Sequence, residues 1–76
     1  MRTRYSYRTD IGLFRIVEQD GKFSPYFEET SLGQYKQPEF AADDLADGHT
    51  LPMPNGLDTA TLGIPHDLAD WDRHES

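Results

Sequence analysis

The sequence predicts an α+β domain in which a three- or four-stranded antiparallel sheet packs on one main helix. Apolar and polar residues alternate in short runs over residues 5–35, which is the period of strands with one buried face. Asp20-Gly21 lies between two of these runs and is typical of a tight hairpin turn, because both central residues of that turn need positive φ. A helical period follows over residues 38–47.

Four segments are predicted as strands, at residues 5–9, 13–18, 23–28 and 32–35. In the second, Phe14 and Ile16 lie on one face, with Leu13, Arg15 and Val17 on the other, and we expect Phe14 and Ile16 to face the helix. Tyr35 is predicted to join them. Pro25 has no N–H to donate, and we therefore expect it on an unpaired side of its strand or beside a bulge.

The main helix is predicted to begin at Pro38 and to end before Gly48. Proline suits a first helical position, where its missing N–H would have no partner, and glycine suits the left-handed residue that ends a helix. At about 100° per residue, Ala41, Ala42 and Leu45 share one side. We expect that side to pack on the sheet.

Phe40 interrupts this pattern, because it falls on the acidic side of the helix. We interpret it as covered by another segment of the chain. The alternative is an exposed residue that contacts a partner.

Residues 49–76 are predicted to dock on the sheet and helix as a loop that ends in a short helix at about residues 65–73. Asp58 is expected to cap one helical turn within the tail. A segment this short does not fold alone, so its apolar residues should be buried on the domain. They are Leu62, Ile64, Leu68 and Trp71.

The chain of 76 residues is expected to form one domain, residues 1–76, with a thin core. It has no cysteine, which excludes disulfides and cysteine-based zinc sites. Its start lacks the apolar segment of a signal peptide, and no apolar run approaches the length of a membrane span. We therefore expect a cytoplasmic protein that does not enter membranes.

Charge is distributed unevenly along the chain. The formal net charge is −7; residues 1–36 carry six basic and five acidic groups, whereas residues 37–76 carry one basic and nine acidic groups. Such asymmetry suggests a charged partner, although an acidic surface also keeps a small protein soluble.

No residues are predicted to be catalytic, and no cofactor or metal is expected. The chain has no cysteine nucleophile and no G-x-S-x-G motif. His49, His66 and His74 do not follow a metal-binding spacing. Asp43 and Asp44 are adjacent on the helix and diverge by about 100°, so they do not face one pocket. We expect a protein that is not an enzyme.

Four short segments follow one another along the first two thirds of the chain: Phe14–Glu18 (FRIVE), Gly21–Phe23 (GKF), Leu32–Tyr35 (LGQY) and Glu39–Ala42 (EFAA). Together they resemble the AP2 domain, which is also the DNA-binding module of some phage integrases. The resemblance covers residues 14–48 and implies a three-stranded antiparallel sheet packed on one helix. The whole chain also resembles a group of small, uncharacterised bacterial proteins, which implies no activity.

The AP2 resemblance implies DNA binding by the sheet face that points away from the helix. Arg15 matches a contact position of that family. Glu18, Asp20 and Glu28 stand where the family tends to place basic or aromatic contacts, and acidic groups there would repel phosphates.

The predicted function is that of a small, non-catalytic interaction module that binds a protein partner or associates with itself. The alternative is nucleic-acid binding, because a basic, aromatic sheet face can hold phosphates and stack bases. The net charge of −7 disfavours this alternative. The candidate binding surface comprises Arg2, Arg4, Arg8, Arg15, Tyr5 and Tyr7.

Overall fold

Five antiparallel strands form one sheet in the computed structural model, which describes residues 3–50, 53, 56 and 58–75. The strands are β1 (Thr3–Thr9), β2 (Gly12–Gln19), β3 (Lys22–Phe27), β4 (Thr30–Ser31) and β5 (Asp72–Glu75). Their order in the sheet is β4-β3-β2-β1-β5. One α-helix, α1 (Pro38–Asp47), packs against β2 and β3. The predicted class, an antiparallel sheet packed on one main helix, is confirmed.

The hairpin between β2 and β3 turns at Asp20-Gly21 as predicted. Asp20 has φ 53° and Gly21 has φ 76°, the positive values that a two-residue turn of this kind requires. The turn sets the register of the two strands, so that Phe14 pairs with Phe27. Their rings are in contact, with centroids 5.0 Å apart.

The helix begins at Pro38 and ends at Gly48, as the sequence predicts. Gly48 has φ 77°, and its backbone N–H donates to the carbonyl of Leu45. A side chain at this position would also collide with the carboxylate of Asp58. Glycine is therefore required here both for its backbone conformation and for the space it leaves.

The predicted sheet–helix interface is present. Its fully buried members are Phe14, Ile16, Ala41, Ala42 and Leu45. Tyr35 is half-buried against this core, and its hydroxyl donates to Asp44 at 2.8 Å. Burial, with a further contribution from Asp44, raises the pKa of Tyr35 to about 12. Tyr35 thus anchors the segment before α1 to the helix itself.

The last predicted strand, residues 32–35, differs in detail from the structure. Only Thr30–Ser31 pairs as a regular strand, while the following residues cover the edge of β3 through single contacts. The N–H of Leu32 donates to the carbonyl of Pro25 at 2.7 Å. Since the N–H and C=O of one strand residue point the same way, the N–H that Pro25 lacks would face this same edge. Residues 30–35 cover this edge, so the expectation of an unpaired side is not confirmed.

The tail contributes a fifth strand where the sequence predicts a short helix at about residues 65–73. A single 3₁₀ turn, Leu68–Asp70, is followed directly by β5, which pairs with β1. The reason is tertiary: the outer edge of β1 offers unpaired backbone groups, and pairing satisfies them. Asp58 caps a 3₁₀ turn at Thr59–Thr61, as expected.

The tail docks on the domain. Ile64 and Trp71 are buried, and Leu62 and Leu68 pack partly buried against the same core. Half of the loop predicted for residues 49–56 lies outside the described residues. Among the described residues, no helix combines the length and apolar character needed to cross a bilayer.

Candidate functional site

The sheet has one face that α1 does not cover, and we name it the open face. Residues paired across strands point to the same side, so the register assigns the members of this face. They are Arg4, Ser6 and Arg8 of β1, Leu13, Arg15, Val17 and Gln19 of β2, Lys22, Ser24 and Tyr26 of β3, and Asp72 and His74 of β5.

Arg15 lies at the centre of the open face, between Ser6 of β1 and Tyr26 of β3. Its Nη2 donates to the backbone carbonyl of Glu28 at 2.6 Å, and its Cζ lies 5.7 Å from the centroid of the Tyr26 ring. The hydrogen bond and the cation–π contact hold the guanidinium in place. Because the guanidinium is held in place, its remaining N–H groups keep a fixed orientation.

Three further cations lie on the open face. Arg4, Arg8 and Lys22 are exposed. In the part of the chain that the structure describes, they have no hydrogen-bonding, ion-pairing or aromatic partner. Their charges are therefore available to a ligand.

Apolar side chains lie between these cations, and two open depressions flank β2. Leu13, Val17 and Tyr26 are half-buried. One depression, of about 600 Å³, is lined by Leu13, Arg15, Phe27, Glu28, Glu29 and Thr30. The other, of about 270 Å³, is lined by Arg4, Tyr5, Ser6, Leu13, Arg15 and His74. The second depression, which Arg4 and Arg15 line without an acidic residue, can thus accept an apolar side chain next to an anionic one.

The structure separates the residues of the predicted binding surface. Arg4, Arg8 and Arg15 lie together on the open face. Tyr5 and Tyr7 instead pair with the buried residues of β2 and pack half-buried on the core, as strand alternation requires. Tyr5 also lines the depression of about 270 Å³, and the role of the two tyrosines in binding stays a prediction. Arg2 lies outside the described residues.

Tyr26 is the aromatic residue of the open face, and the sequence interpretation missed it. The signal was available, because a two-residue turn at Asp20-Gly21 fixes the register that places Tyr26 opposite Arg15.

The acidic residues expected at the DNA-facing surface are not all there. Glu18 alternates with Phe14 and Ile16 and so lies on the side of α1, where its Oε1 accepts from the N–H of Thr3 at 3.1 Å. Asp20 is in the hairpin turn. Only Glu28 borders the depression beside Arg15. The expectation fails for Glu18 because a strand residue changes face with every step along the chain.

A second surface lies on the outer side of α1. Phe40 is 55% exposed, so the interpretation that another segment covers it is wrong. Its exposure agrees with the alternative, and contact with a partner stays a prediction. Glu39, Asp43 and Asp47 are also exposed there. We name these four residues the acidic helix surface.

His66 joins the tail to α1. Its Nε2 lies 2.7 Å from Oδ1 of Asp47 and 3.9 Å from Oδ1 of Asp43. The three residues are exposed, and their possible metal-ligand atoms lie within 4.8 Å of one another. Sequence spacing could not reveal this group, since His66 reaches the helix only when the tail docks. The hydrogen bond to Asp47 raises the pKa of His66 above its ordinary value.

This contact should make stability depend on pH. Because the pKa of His66 is raised in the folded chain, its stabilising effect is complete below the ordinary histidine pKa of about 6.5. The effect is lost as pH rises through the higher folded value. His66→Gln should therefore lower the Tm more at about pH 5 than at about pH 9.

The matched control is His49→Gln, which changes an exposed histidine at the end of α1. Thermal melts of both variants at the two pH values measure the effect. An equal loss of Tm by His66→Gln at both would contradict a role for the charged imidazole.

The resemblance of residues 14–48 to the AP2 domain stays a prediction, and so does the DNA binding that it implies. The geometry of the open face and of the acidic helix surface is the basis on which function can be argued. Compared with protein-family models, curated proteins and solved structures, the chain matches none.

Proposed function

We propose that this chain is a non-catalytic binding module whose open face binds an acidic surface of a protein partner. The observation that carries the proposal is the composition of this face, where exposed cations without partners among the described residues surround half-buried apolar side chains. Protein interfaces favour this arrangement, with arginine and aromatic anchors at the centre and charges at the rim.

Arg15 is suited to be the central anchor. It is already held by Glu28 and Tyr26, so binding would immobilise little additional side-chain freedom. Arginine also presents several donors in a planar fork that matches a carboxylate. The exposed cations around it would attract an acidic partner and orient its approach.

Nucleic acid is the second candidate, and one observation favours it: Glu18 lies away from the open face, which leaves the cations there with fewer acidic neighbours. Two observations favour a protein: the net charge is −7, and Tyr7 packs on the core, so a nucleic acid would be repelled overall and would meet few stacking surfaces. Glu28 and Glu29, which line the same depression as Arg15, would repel phosphates and carboxylates alike and do not discriminate between the candidates.

Site-specific photo-crosslinking tests the proposal. A photoreactive phenylalanine analogue at Gln19, which is exposed on the open face, should form adducts in an extract of the source cell. These adducts should resist nuclease and be digested by protease. The same analogue at Lys36, which is exposed in the segment before α1, serves as the control position and should not form them.

Charge reversal makes the test specific. Arg4→Glu combined with Arg8→Glu should abolish the adducts at Gln19, whereas Lys36→Glu should leave them intact. Nuclease-sensitive adducts would instead favour the second candidate. In that case labelled oligonucleotides should bind at low salt, lose affinity steeply as salt rises, and fail to bind Arg15→Ala. Adducts that survive the double reversal would contradict both candidates.

A further inference from the structure

We infer that one depression of the open face binds a phosphomonoester, which the protein partner carries on a phosphorylated side chain. This is the depression of about 270 Å³ that is lined by Arg4, Tyr5, Ser6, Leu13, Arg15 and His74, and we name it the Ser6 depression. The inference rests on the proposed function and names the chemical group of the partner that the open face recognises.

The Ser6 depression results from the different lengths of the side chains around Ser6. Arg4 lies two residues before Ser6 in β1 and therefore on the same face of the sheet, and Arg15 pairs with Ser6 from β2. From β5, His74 places its Nε2 3.3 Å from Oγ of Ser6. A short side chain among three long ones leaves a hollow, and the hydroxyl of Ser6 lies at its floor.

Hydrogen-bond donors from three strands surround this hollow. Arg15 uses one N–H for the carbonyl of Glu28, and its guanidinium keeps others for a ligand. Arg4 is exposed and has no partner in the part of the chain that the structure describes. When the imidazole of His74 donates to the Ser6 hydroxyl, the hydroxyl proton is itself free to donate. An oxyanion above Ser6 would therefore be within reach of two guanidinium groups and a hydroxyl.

The charge of the Ser6 depression suits a dianion. Arg4 and Arg15 line it, and no acidic residue does so among the described residues; Glu28 and Glu29 line the other depression. A phosphomonoester carries about −1.5 to −2 charges on three terminal oxygens at neutral pH, so it can bind both guanidinium groups at once. A carboxylate has two oxygens, which a single arginine already pairs with in the bidentate geometry. A phosphomonoester therefore uses more of this donor set than a carboxylate does.

A phosphorylated side chain also suits the surroundings better than a nucleic-acid backbone does. Asp72 pairs with Ser6 from the β5 side and is exposed. A nucleic acid places its phosphates in a continuous row, so some of them would meet Asp72 and the net charge of −7 without a cation beside them. An isolated phosphomonoester places its whole charge at the two arginines, and charges of this chain that lie more than about 8 Å away are screened at physiological ionic strength. Leu13 and Tyr5 are half-buried and offer apolar contact to the carbon atoms that carry the phosphate.

Small aromatic probes test this chemistry on the full chain. Phenyl phosphate is the monoester, benzoate is the carboxylate, and methyl phenyl phosphate is the singly charged phosphodiester. In phosphate-free buffer, heteronuclear NMR of the isotope-labelled chain should show saturable shifts of the Ser6, Arg15 and His74 amides with phenyl phosphate. The affinity for phenyl phosphate should exceed that for either other probe by about tenfold, because it alone has the charge and oxygens to engage both guanidinium groups. Benzoate or the diester binding as tightly as the monoester, or no saturable shift, overturns the inference.

Substitutions show whether the probe binds in the Ser6 depression. Arg4→Gln and Ser6→Ala should each weaken the binding of phenyl phosphate by about tenfold, since each removes a donor to a charged group. Asp72→Asn should strengthen it, because it removes a repulsive charge. The matched control is Lys22→Gln, which removes a cation of the same face outside the depression and should change the affinity by less than about twofold. Circular dichroism establishes that the variants fold. A loss from Lys22→Gln as large as that from Arg4→Gln overturns the inference.

Photo-crosslinking at Gln19 identifies the source of the phosphate and separates this inference from the proposed function. Treatment of the extract with a protein phosphatase before irradiation should abolish the protein adducts, whereas the inhibited phosphatase should leave them intact. If the adducts survive the active phosphatase but are lost on charge reversal of Arg4 and Arg8, the proposed function holds and the phosphate inference is wrong. If the adducts are sensitive to nuclease, the second candidate is favoured and this inference is wrong. If no charge-dependent protein adduct forms, both fail.

Discussion

Replacing Trp71 by alanine should lower the free energy of unfolding by about 3–5 kcal/mol, the range for a buried tryptophan. Only 5% of Trp71 is exposed. Its ring lies tilted against Tyr7 with centroids 5.7 Å apart, and its Nε1 donates to the carbonyl of Pro65 at 3.1 Å. The change removes these contacts and leaves a cavity at the point from which β5 starts.

The loss is large for this chain, because domains are typically stable by only about 5–15 kcal/mol. Urea unfolding followed by far-ultraviolet circular dichroism measures it, since the variant lacks the single tryptophan. Trp71→Phe is the control, because it keeps a ring against Tyr7 but loses the hydrogen bond to Pro65, and its effect should be smaller. Fluorescence of the wild type should shift to the red on unfolding.

A loss of under about 0.5 kcal/mol, the range of surface substitutions, would contradict the docked position of Trp71. The tail would then contribute little to the stability of the fold, and the pairing of β5 with β1 would not depend on the docking of Trp71.

The features that could be predicted from the sequence are those with local causes. Asp20-Gly21 specifies its turn through its own backbone preferences, and the turn determines the register of β2 and β3. Pro38 and Gly48 specify the start and end of α1 in the same way. Alternation then identifies Phe14 and Ile16 as the buried side chains of β2.

The tail shows where such reasoning fails. Leu68 and Trp71 are spaced by three, which favours a helix, yet the structure has a 3₁₀ turn followed by β5. Asp72–Glu75 contains no apolar residue to indicate a strand. It forms one because Trp71 docks beside β1 and brings the following residues to an unpaired edge.

Only part of the candidate site could be predicted, again because the rest depends on tertiary pairing and packing. The basic residues Arg4, Arg8 and Arg15 can be identified from composition, but their common face follows only from the pairing of β1 with β2. The exposure of Phe40 depends on which segments pack on α1, and no local signal specifies that.

Leu45→Ala should lower the free energy of unfolding by about 2–5 kcal/mol. Leu45 is fully buried together with Ala41 and Ala42 on the side of α1 that faces the sheet. The two alanines already bring the helix close to Phe14 and Ile16, so the backbone has little freedom to move inward and fill the space. The cavity term should therefore add to the lost transfer free energy.

Urea unfolding followed by the fluorescence of Trp71 measures this change, because the ring is buried in the same core. The matched control is Phe40→Ala on the same helix. Its side chain is exposed, so its effect should stay within about 0.5 kcal/mol. Equal losses from the two variants would mean that α1 is rotated about its axis.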